Sequence, residues 1–309
     1  MKLYRNLDEL DSGLQRGALS VGNFDGVHRG HARIVERVIA RARQAGGPAI
    51  IFTFDPHPVR VLRPDLAPPP LTWTERKADL LGSLGIDVVI AYPTDEALLS
   101  RTAADFYQWI VCDTFAASAM VEGPNFYFGK DREGSIETLQ QLTQQSGVEL
   151  EIVPPMMDAG EIVSSSRVRE LIRNGKLEPA CRLLTQPYRI RGMVTHGAGR
   201  GAKIGFPTAN VEAIDTLLPA DGVYAGRGFV NGRTWPAGIN VGGNPTFGDD
   251  SSKVEVHLVG ADESLYGMPL EVELLAHLRD VLSFGSVEEL VKQLEQDMAH
   301  VIEIETQQR

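Results

Sequence analysis

Cysteine is scarce in this chain. The two present among 309 residues, Cys112 and Cys181, have no ligand-type spacing, so neither a disulfide framework nor a cysteine-based zinc site is expected. Long apolar runs are missing as well. No stretch approaches the ~20 residues that span a bilayer, and the opening MKLYRNLDEL lacks an apolar core of signal-peptide length. Positive charge is in deficit: 30 Lys and Arg stand against 41 Asp and Glu, a net charge of −11. That balance argues against a nucleic-acid partner, which clustered cations would attract. Arg29, Arg33, Arg37, Arg41 and Arg43 largely follow helical spacing and read as a solvated helix face. Together these absences predict a cytoplasmic protein with neither membrane nor nucleic acid as partner; they leave its oligomeric state open. The remaining composition, 43% hydrophobic and 23% charged, is that of an ordinary globular protein, and the length suits about two domains, each able to bury a core unaided.

Two rhythms divide the chain. In the first half, apolar runs at 18–24, 49–54, 88–91, 117–122 and 148–153 alternate with helical patterns at 31–45, 74–84, 103–112, 135–145 and 165–174. Gly46, Gly85, Gly147 and Gly175 fall where those helices should stop. The alternation predicts a Rossmann-like parallel sheet covered on both faces, with ligands beyond the carboxyl ends of its strands. The proline-rich stretch 63–71 reads as a surface loop or flap. After a short helix around 179–184 the pattern changes to β-type runs at 189–196, 223–230, 235–241, 254–259 and 270–278, separated by turns rich in Gly, Asn and Asp. These predict a small antiparallel barrel, followed by an amphipathic helix over 287–304 that covers its mouth or side. The expected domains are 1–185 and 186–309.

The densest segment is LSVGNFDGVHRGH, residues 19–31. An apolar run ends in Gly22, Asn23, Phe24, Asp25 and Gly26; His28 and His31 follow, and a helical pattern begins. Glycine permits close backbone approach to a ligand, a helix N-terminus favours anions, and histidines three apart share one helix face. This is equipment for a triphosphate. Two further segments belong at strand or helix ends. Asn125, Phe126 and Phe128 suit a planar ring system, or equally pack the strand end. Ser164, Ser165 and Ser166 cap a helix and, with Arg167 as a forked partner, can cradle phosphate. In the second half, residues 196–210 are glycine-rich but end in neither a Walker loop nor a dinucleotide fingerprint. Thr208 and Asn210 offer hard oxygens suited to Mg²⁺. Glu255 alternates with Val254 and Val256, facing either solvent or a cavity.

The first half resembles the nucleotidyltransferase module of bifunctional riboflavin kinase/FAD synthetases. The resemblance rests on Gly22, Phe24, Asp25, Gly26, His28, Gly30 and His31, on Ser164, Ser165 and Arg169, and on the segments 53–58 and 123–129. The second half resembles their kinase module through the GFPTAN run ending at Asn210, Leu218-Pro219, Gly222-Val223-Tyr224 and NVGGNPTFG at 240–248. The resemblance implies a transferase that makes FMN from riboflavin and ATP, then FAD and pyrophosphate from FMN and a second ATP. It implies ATP contacts at Gly22, Asn23, Phe24, Asp25, Gly26, His28, His31, Ser164, Ser165 and Arg167, with flavin at Asn125, Phe126 and Phe128. His28 and His31 would donate to phosphate oxygens as charge builds; imidazole titrates at about pH 6.5, so their charge state stays open. In the kinase half it implies ATP contacts at Gly199, Gly201, Lys203, Gly205, Phe206, Pro207 and Thr208, Mg²⁺ at Thr208 and Asn210, flavin at Arg279, and Glu255 as catalytic base. Asn244 stands where many relatives have Arg, and no acidic residue follows Arg279-Asp280, which leaves the flavin contacts near Arg279 undefined. The competing readings are an adenylyltransferase for another phosphorylated acceptor and a non-catalytic flavin-binding or regulatory protein.

Overall fold

The computed structural model describes residues 1–197, 199–244 and 249–307. Of the NVGGNPTFG run, residues 245–248 and the side chain of Asn244 lie outside the described residues. By its contacts the chain divides into two compact units, Met1–Pro68 with Trp73–Ser164, and Pro69–Thr72 with Ser165–Arg309.

The first unit is a six-stranded parallel sheet. Its strands are β1 (Lys2–Tyr4), β2 (Ala18–Val21), β3 (Ala49–Asp55), β4 (Val88–Pro93), β5 (Ala119–Glu122) and β6 (Glu149–Ile152), in the order β1-β4-β3-β2-β5-β6. Helices α1 (Arg29–Ala45), α2 (Pro58–Leu62), α3 (Thr74–Ser83), α4 (Glu96–Leu99), α5 (Ala103–Phe106) and α6 (Ile136–Ser146) connect them, and a short hairpin, β7 (Met157–Asp158) and β8 (Glu161–Ile162), follows. Alternation along the central strands feeds two cores. Leu19, Val21, Ile50 and Phe52 pack with Phe106, Tyr107 and Ile110 on one face. Ala18, Ala49, Ile51 and Val89 pack with Val35 and Val38 of α1 and Ala78 and Leu81 of α3 on the other. The arginine face of α1 is not simply solvated: Arg41 donates to Glu151 at 2.6 Å and to Glu149 at 2.7 Å, and Arg37 also holds Glu151, tying α1 to β6.

Three elements differ from expectation. The helix expected over 103–112 is one α-helical turn followed by a wider π-helical stretch, Tyr107–Thr114, in which Phe115 N donates to Ile110 O five residues back; this lets Ile110, Val111 and Phe115 all be buried. The edge strand β1 is too short to announce itself by alternation. The segment expected as a surface loop or flap over 63–71 is exposed at Arg63 and Leu66 but ends in Leu71, which is fully buried. Prolines lack an N–H but keep their carbonyls: Pro69 O accepts from Arg169 Nε and Pro70 O from Leu217 N, both at 2.9 Å.

The second unit begins with α7 (Ser165–Arg173) and α8 (Leu177–Leu183). A closed antiparallel barrel follows: β9 (Tyr188–Thr195), β10 (Ala209–Glu212), β11 (Gly222–Val230), β12 (Arg233–Asn244), β13 (Asp249–Leu258) and β14 (Pro269–Arg279), ordered β10-β13-β12-β11-β14-β9. A single helical turn, α9 (Arg200–Lys203), precedes β10, and α10 (Val287–Gln307) ends the unit. Five strands were expected; the sixth, β10, closes the barrel and removes its free edges. The sequence rhythm changes near Gln186, whereas the contacts divide at Ser164/Ser165, because α7 and α8 pack with the barrel. Glu178 accepts from His277 N at 3.1 Å, and Ile172 O accepts from Ala220 N at 3.3 Å. Of the two placements expected for α10, its packing against β11 and β12 selects the barrel's side, where Arg227 meets Glu305 at 3.4 Å. Among the described residues no helix is long and apolar enough to cross a membrane.

Candidate active sites

In the first unit the chain leaves β2 for β3 and β4 on one side, then returns to place β5 and β6 on the other. The carboxyl ends of β2 and β5 therefore flank the point where strand order reverses, which is where open parallel sheets bind ligands. Residues 22–31 follow β2, and Asn125, Phe126 and Phe128 follow β5. The first turn is strained: Phe24 (φ 47°) and Val27 (φ 40°) are left-handed without being glycine. Such positions cost about 1–3 kcal/mol each and cluster at functional sites. Asp25 and His28 are both buried. His28 caps α1, its Nδ1 accepting the backbone N–H of His31 at 3.2 Å, so its ring proton resides on Nε2. The two imidazoles stack at 3.6 Å between centroids, with Phe24 tilted 5.0 Å from His31.

His31 keeps one edge partly open, but its Nδ1 is sealed from solvent with no hydrogen-bond partner among the described residues. Burial first, then the neighbouring His28 and Lys77, hold its pKa well below the ordinary imidazole range. At neutral pH it is an uncharged imidazole, which answers what the sequence left open. Two buried residues that sequence reasoning missed sit beside this turn. Lys77 of α3 donates to Thr53 Oγ1 at 3.2 Å, and Thr53 donates to Asn23 O at 3.1 Å. Glu122 ends β5. The β2–β5 ladder pairs Ala18 with Ala119 and Leu19 with Met120 and goes no further, and Val21 N donates instead to Glu122 Oε1 at 2.7 Å. Burial pushes the Glu122 carboxyl well above the usual carboxylate range. A charged residue closing the apolar run AMVE was the visible signal for it.

The other expected residues divide. Phe128 is a core residue, 7% exposed, stacked on the half-buried Phe126 at 5.1 Å, while Asn125 is exposed. A side chain on Gly30 would begin 3.1 Å from the His28 ring and 3.2 Å from the carbonyl of Val163, just before Ser164, and would crowd both. Ser165 and Arg167 belong to the second unit by their contacts; their part in a nucleotide site rests on sequence resemblance.

In the second unit, one register row circles the barrel. Thr195 pairs with Asn210, Asn210 with Glu255, Glu255 with Asn240, Asn240 with Val223, and Val223 with Arg279. Cross-strand partners share a face, so five polar side chains from five strands point one way. The flanking Val254 and Val256 are buried on the opposite face with Val211, Val241 and Ile239. A cavity of about 680 Å³ holds Asn210, Glu255, Asn240 and Arg279 on its wall, with Gly199, Gly201, Phe206 and Thr208. Lys203, Gly205 and Pro207 are exposed and off that wall, although Pro207 O bonds His257 Nδ1 at 2.8 Å and so pins the segment to β13. A side chain on Gly197 would begin 2.0 Å from Asn210 Nδ2, so this glycine makes room for the asparagine. Arg279 is held by Asp297 of α10 through contacts of 2.8 to 3.2 Å, and Gln293 also bonds Asp297, at 2.9 Å. No acid follows the Arg279-Asp280 pair in sequence; the carboxylate that holds Arg279 comes from that helix.

The donor set fits Mg²⁺ carried by a nucleotide. Among the described residues no group of three or more His, Cys, Asp or Glu could hold a metal, but Thr208 and Asn210 present neutral oxygens to the cavity. Mg²⁺ characteristically takes few protein ligands and completes its shell with phosphates and water. Thr195 Oγ1 and Asn240 Nδ2 are buried in the same row without partners among the described residues, which suits a polar ligand.

Comparison with known proteins agrees with both halves. The FAD synthetase family model matches residues 11–167, and the riboflavin kinase family model matches residues 184–304. The chain belongs to the bifunctional riboflavin kinase/FMN adenylyltransferase family. Members named so from Pseudomonas fluorescens and Escherichia coli (strain K12) are 35% and 33% identical to it, over 97% and 96% of this chain and 96% of each relative. A solved structure described as a macrolide-efflux protein from Streptococcus pneumoniae has a TM-score of 0.83 at 30% identity, covering 96% of this chain and 97% of that one. That description is the relative's own; its likeness to this chain is one of fold. Membership makes this chain a transferase with the family's two activities, riboflavin kinase and FMN adenylyltransferase.

Proposed function

We propose that the two reactions divide along the chain, with adenylyl transfer in residues 1–185 and riboflavin phosphorylation in residues 186–309. The observation that carries this reading is the pair of constellations: His28 and His31 at a strained turn, and the Asn210–Glu255–Asn240 row in a cavity. In the barrel, Glu255 takes the proton of the ribityl 5′-hydroxyl as that oxygen attacks the γ-phosphorus of ATP and ADP departs. Thr208 and Asn210 would hold Mg²⁺, which would supply neutralisation of phosphate charge. Arg279, fixed by Asp297, lines the flavin end of the cavity.

In the parallel-sheet unit an FMN phosphate oxygen attacks the α-phosphorus of a second ATP, and pyrophosphate leaves. No protein nucleophile takes part, so catalysis is positioning and charge stabilisation. His28 donates through Nε2, and His31 acts as an uncharged partner. Asn125 and Phe126 are proposed flavin contacts; Phe128 supports Phe126 from the core. The compartment is the cytoplasm, supported by two free thiols, Cys112 and Cys181, as a reducing environment maintains them.

Two substitutions test the division. Glu255→Ala abolishes FMN formation and leaves FAD synthesis from supplied FMN intact. His28→Ala leaves the kinase reaction intact and lowers kcat of FAD synthesis roughly 10²–10³-fold, as loss of one transition-state donor does. Either change removing both activities from a folded protein contradicts the assignment. Chromatographic separation of riboflavin, FMN and FAD reads all outcomes.

A further inference from the structure

Lys77 lies under the His28–His31 turn and is assigned no role by the motifs that mark the site. Its side chain is 7% exposed, whereas every other lysine of the chain is exposed. Burying an ammonium is costly unless something needs its charge. Among the described residues Lys77 has no close ion pair that would explain it. Its Nζ donates to the hydroxyl of Thr53, itself fully buried, and that hydroxyl donates to the carbonyl of Asn23. A chain of two hydrogen bonds thus runs from α3 through β3 to the strained turn. A trans peptide is planar, so holding the Asn23 carbonyl toward Thr53 points the N–H of Phe24 the opposite way. That N–H has no acceptor among the described residues.

The charges facing Lys77 come from several elements. Asp25 in the turn and Asp55 at the end of β3 favour its charged form; burial opposes it. His31, backed by His28, faces it from α1. Asp55 is shared: Arg5, which also meets Glu75, lies 3.1 Å from it, and Thr74 bonds it at 2.6 Å. A polyphosphate entering this turn meets the carboxylate of Asp25 and the uncharged imidazole of His31. Lys77 is a buried cation whose charged form Asp25 favours.

We propose that Lys77 is a positioning residue of the adenylyl-transfer site: through Thr53 it fixes the Asn23–Phe24 peptide, and its charge lets the triphosphate settle beside Asp25. The role rests on the reading of this turn as the transferase site. The test is Lys77→Met in the full chain, with FAD synthesis from FMN and Mg²⁺–ATP measured beside riboflavin phosphorylation in the same preparation. The KM for ATP in FAD synthesis is expected to rise about tenfold or more, the change that ~1.4 kcal/mol of lost interaction produces, with the kinase reaction unaltered. The His31 ring titration, followed by NMR, moves to higher pH once the cation is gone, and Lys77→Arg recovers most of the ATP affinity. An unchanged KM for ATP overturns the proposal. So does equal impairment of the Met and Arg variants with an unmoved His31 titration, which is a packing role. If Lys77→Met loses the kinase reaction too, Thr53→Val decides: it cuts the relay and keeps the cation, and unaltered FAD synthesis overturns the proposal while a raised KM for ATP supports it. His31→Ala, run in parallel, separates the two layers. FAD synthesis surviving that change removes the reading of the turn, whereas its loss beside an unaffected Lys77→Met removes only the role of Lys77.

Discussion

Gly197 sets how tightly the kinase site is built. Any side chain there would begin 2.0 Å from the Asn210 amide, and the obstacle is a side chain proposed above to hold Mg²⁺. Gly197→Ala therefore displaces Asn210 and lowers kcat/KM of riboflavin phosphorylation about tenfold or more, since misplaced ligands forfeit positioning. Steady-state kinetics at saturating riboflavin checks this, with FAD synthesis from FMN as the unaffected reference. At this scale much of the candidate site was legible. His28, His31, Thr208 and Asn210 stand in runs dense with glycine and polar residues, and Glu255 alternates with valines. Lys77, Glu122 and Asp297 were not legible, because each stands alone in an ordinary helix or strand, and the run that begins at Asn240 gave that residue no role of its own. Only tertiary pairing gives them meaning: Asp297 reaches Arg279 from a helix eighteen positions on, and Asn240 becomes a site residue by lying opposite Glu255.

Among the elements, the junction of β2 and β5 is the most informative. Parallel strands that part at a reversal of strand order leave backbone groups unpaired, and here the Glu122 carboxyl takes up the Val21 N–H. An acid with a raised folded pKa is protonated in both states at low pH and costs nothing there. As pH climbs above about 4.3, the unfolded chain ionises first, so stability is lost progressively until the folded pKa is passed. Glu122→Gln keeps an acceptor for Val21 and removes that loss. The variant is expected to melt a few degrees above the unaltered protein at pH 8 and within about 1 °C of it at pH 4. An equal difference at both pH values would mean that ionisation of Glu122 is not the source. Element prediction succeeded where periodicity had room to show, as in α1, β3, β11 and α10. It failed for β1, with three residues, and β10, with four. The π-helical stretch was also hidden, since widening a turn leaves the apolar pattern helical.

For the molecule as a whole, the change of rhythm separated a parallel sheet from a barrel, and both architectures followed. The division between units was set elsewhere than the rhythm indicated, because α7 and α8 carry helical patterns like those before them yet bury their apolar faces against β14 and its surroundings. The account requires two self-sufficient active sites, each holding its own ATP. Mixing the two single-site variants tests this most directly. Glu255→Ala makes no FMN, and His28→Ala makes FMN but little FAD. Supplied together with riboflavin and Mg²⁺–ATP, they should restore FAD formation, the FMN released by one being adenylylated by the other. A folded mixture that accumulates FMN without FAD, or leaves riboflavin untouched, contradicts the assignment of one reaction to each half of the chain.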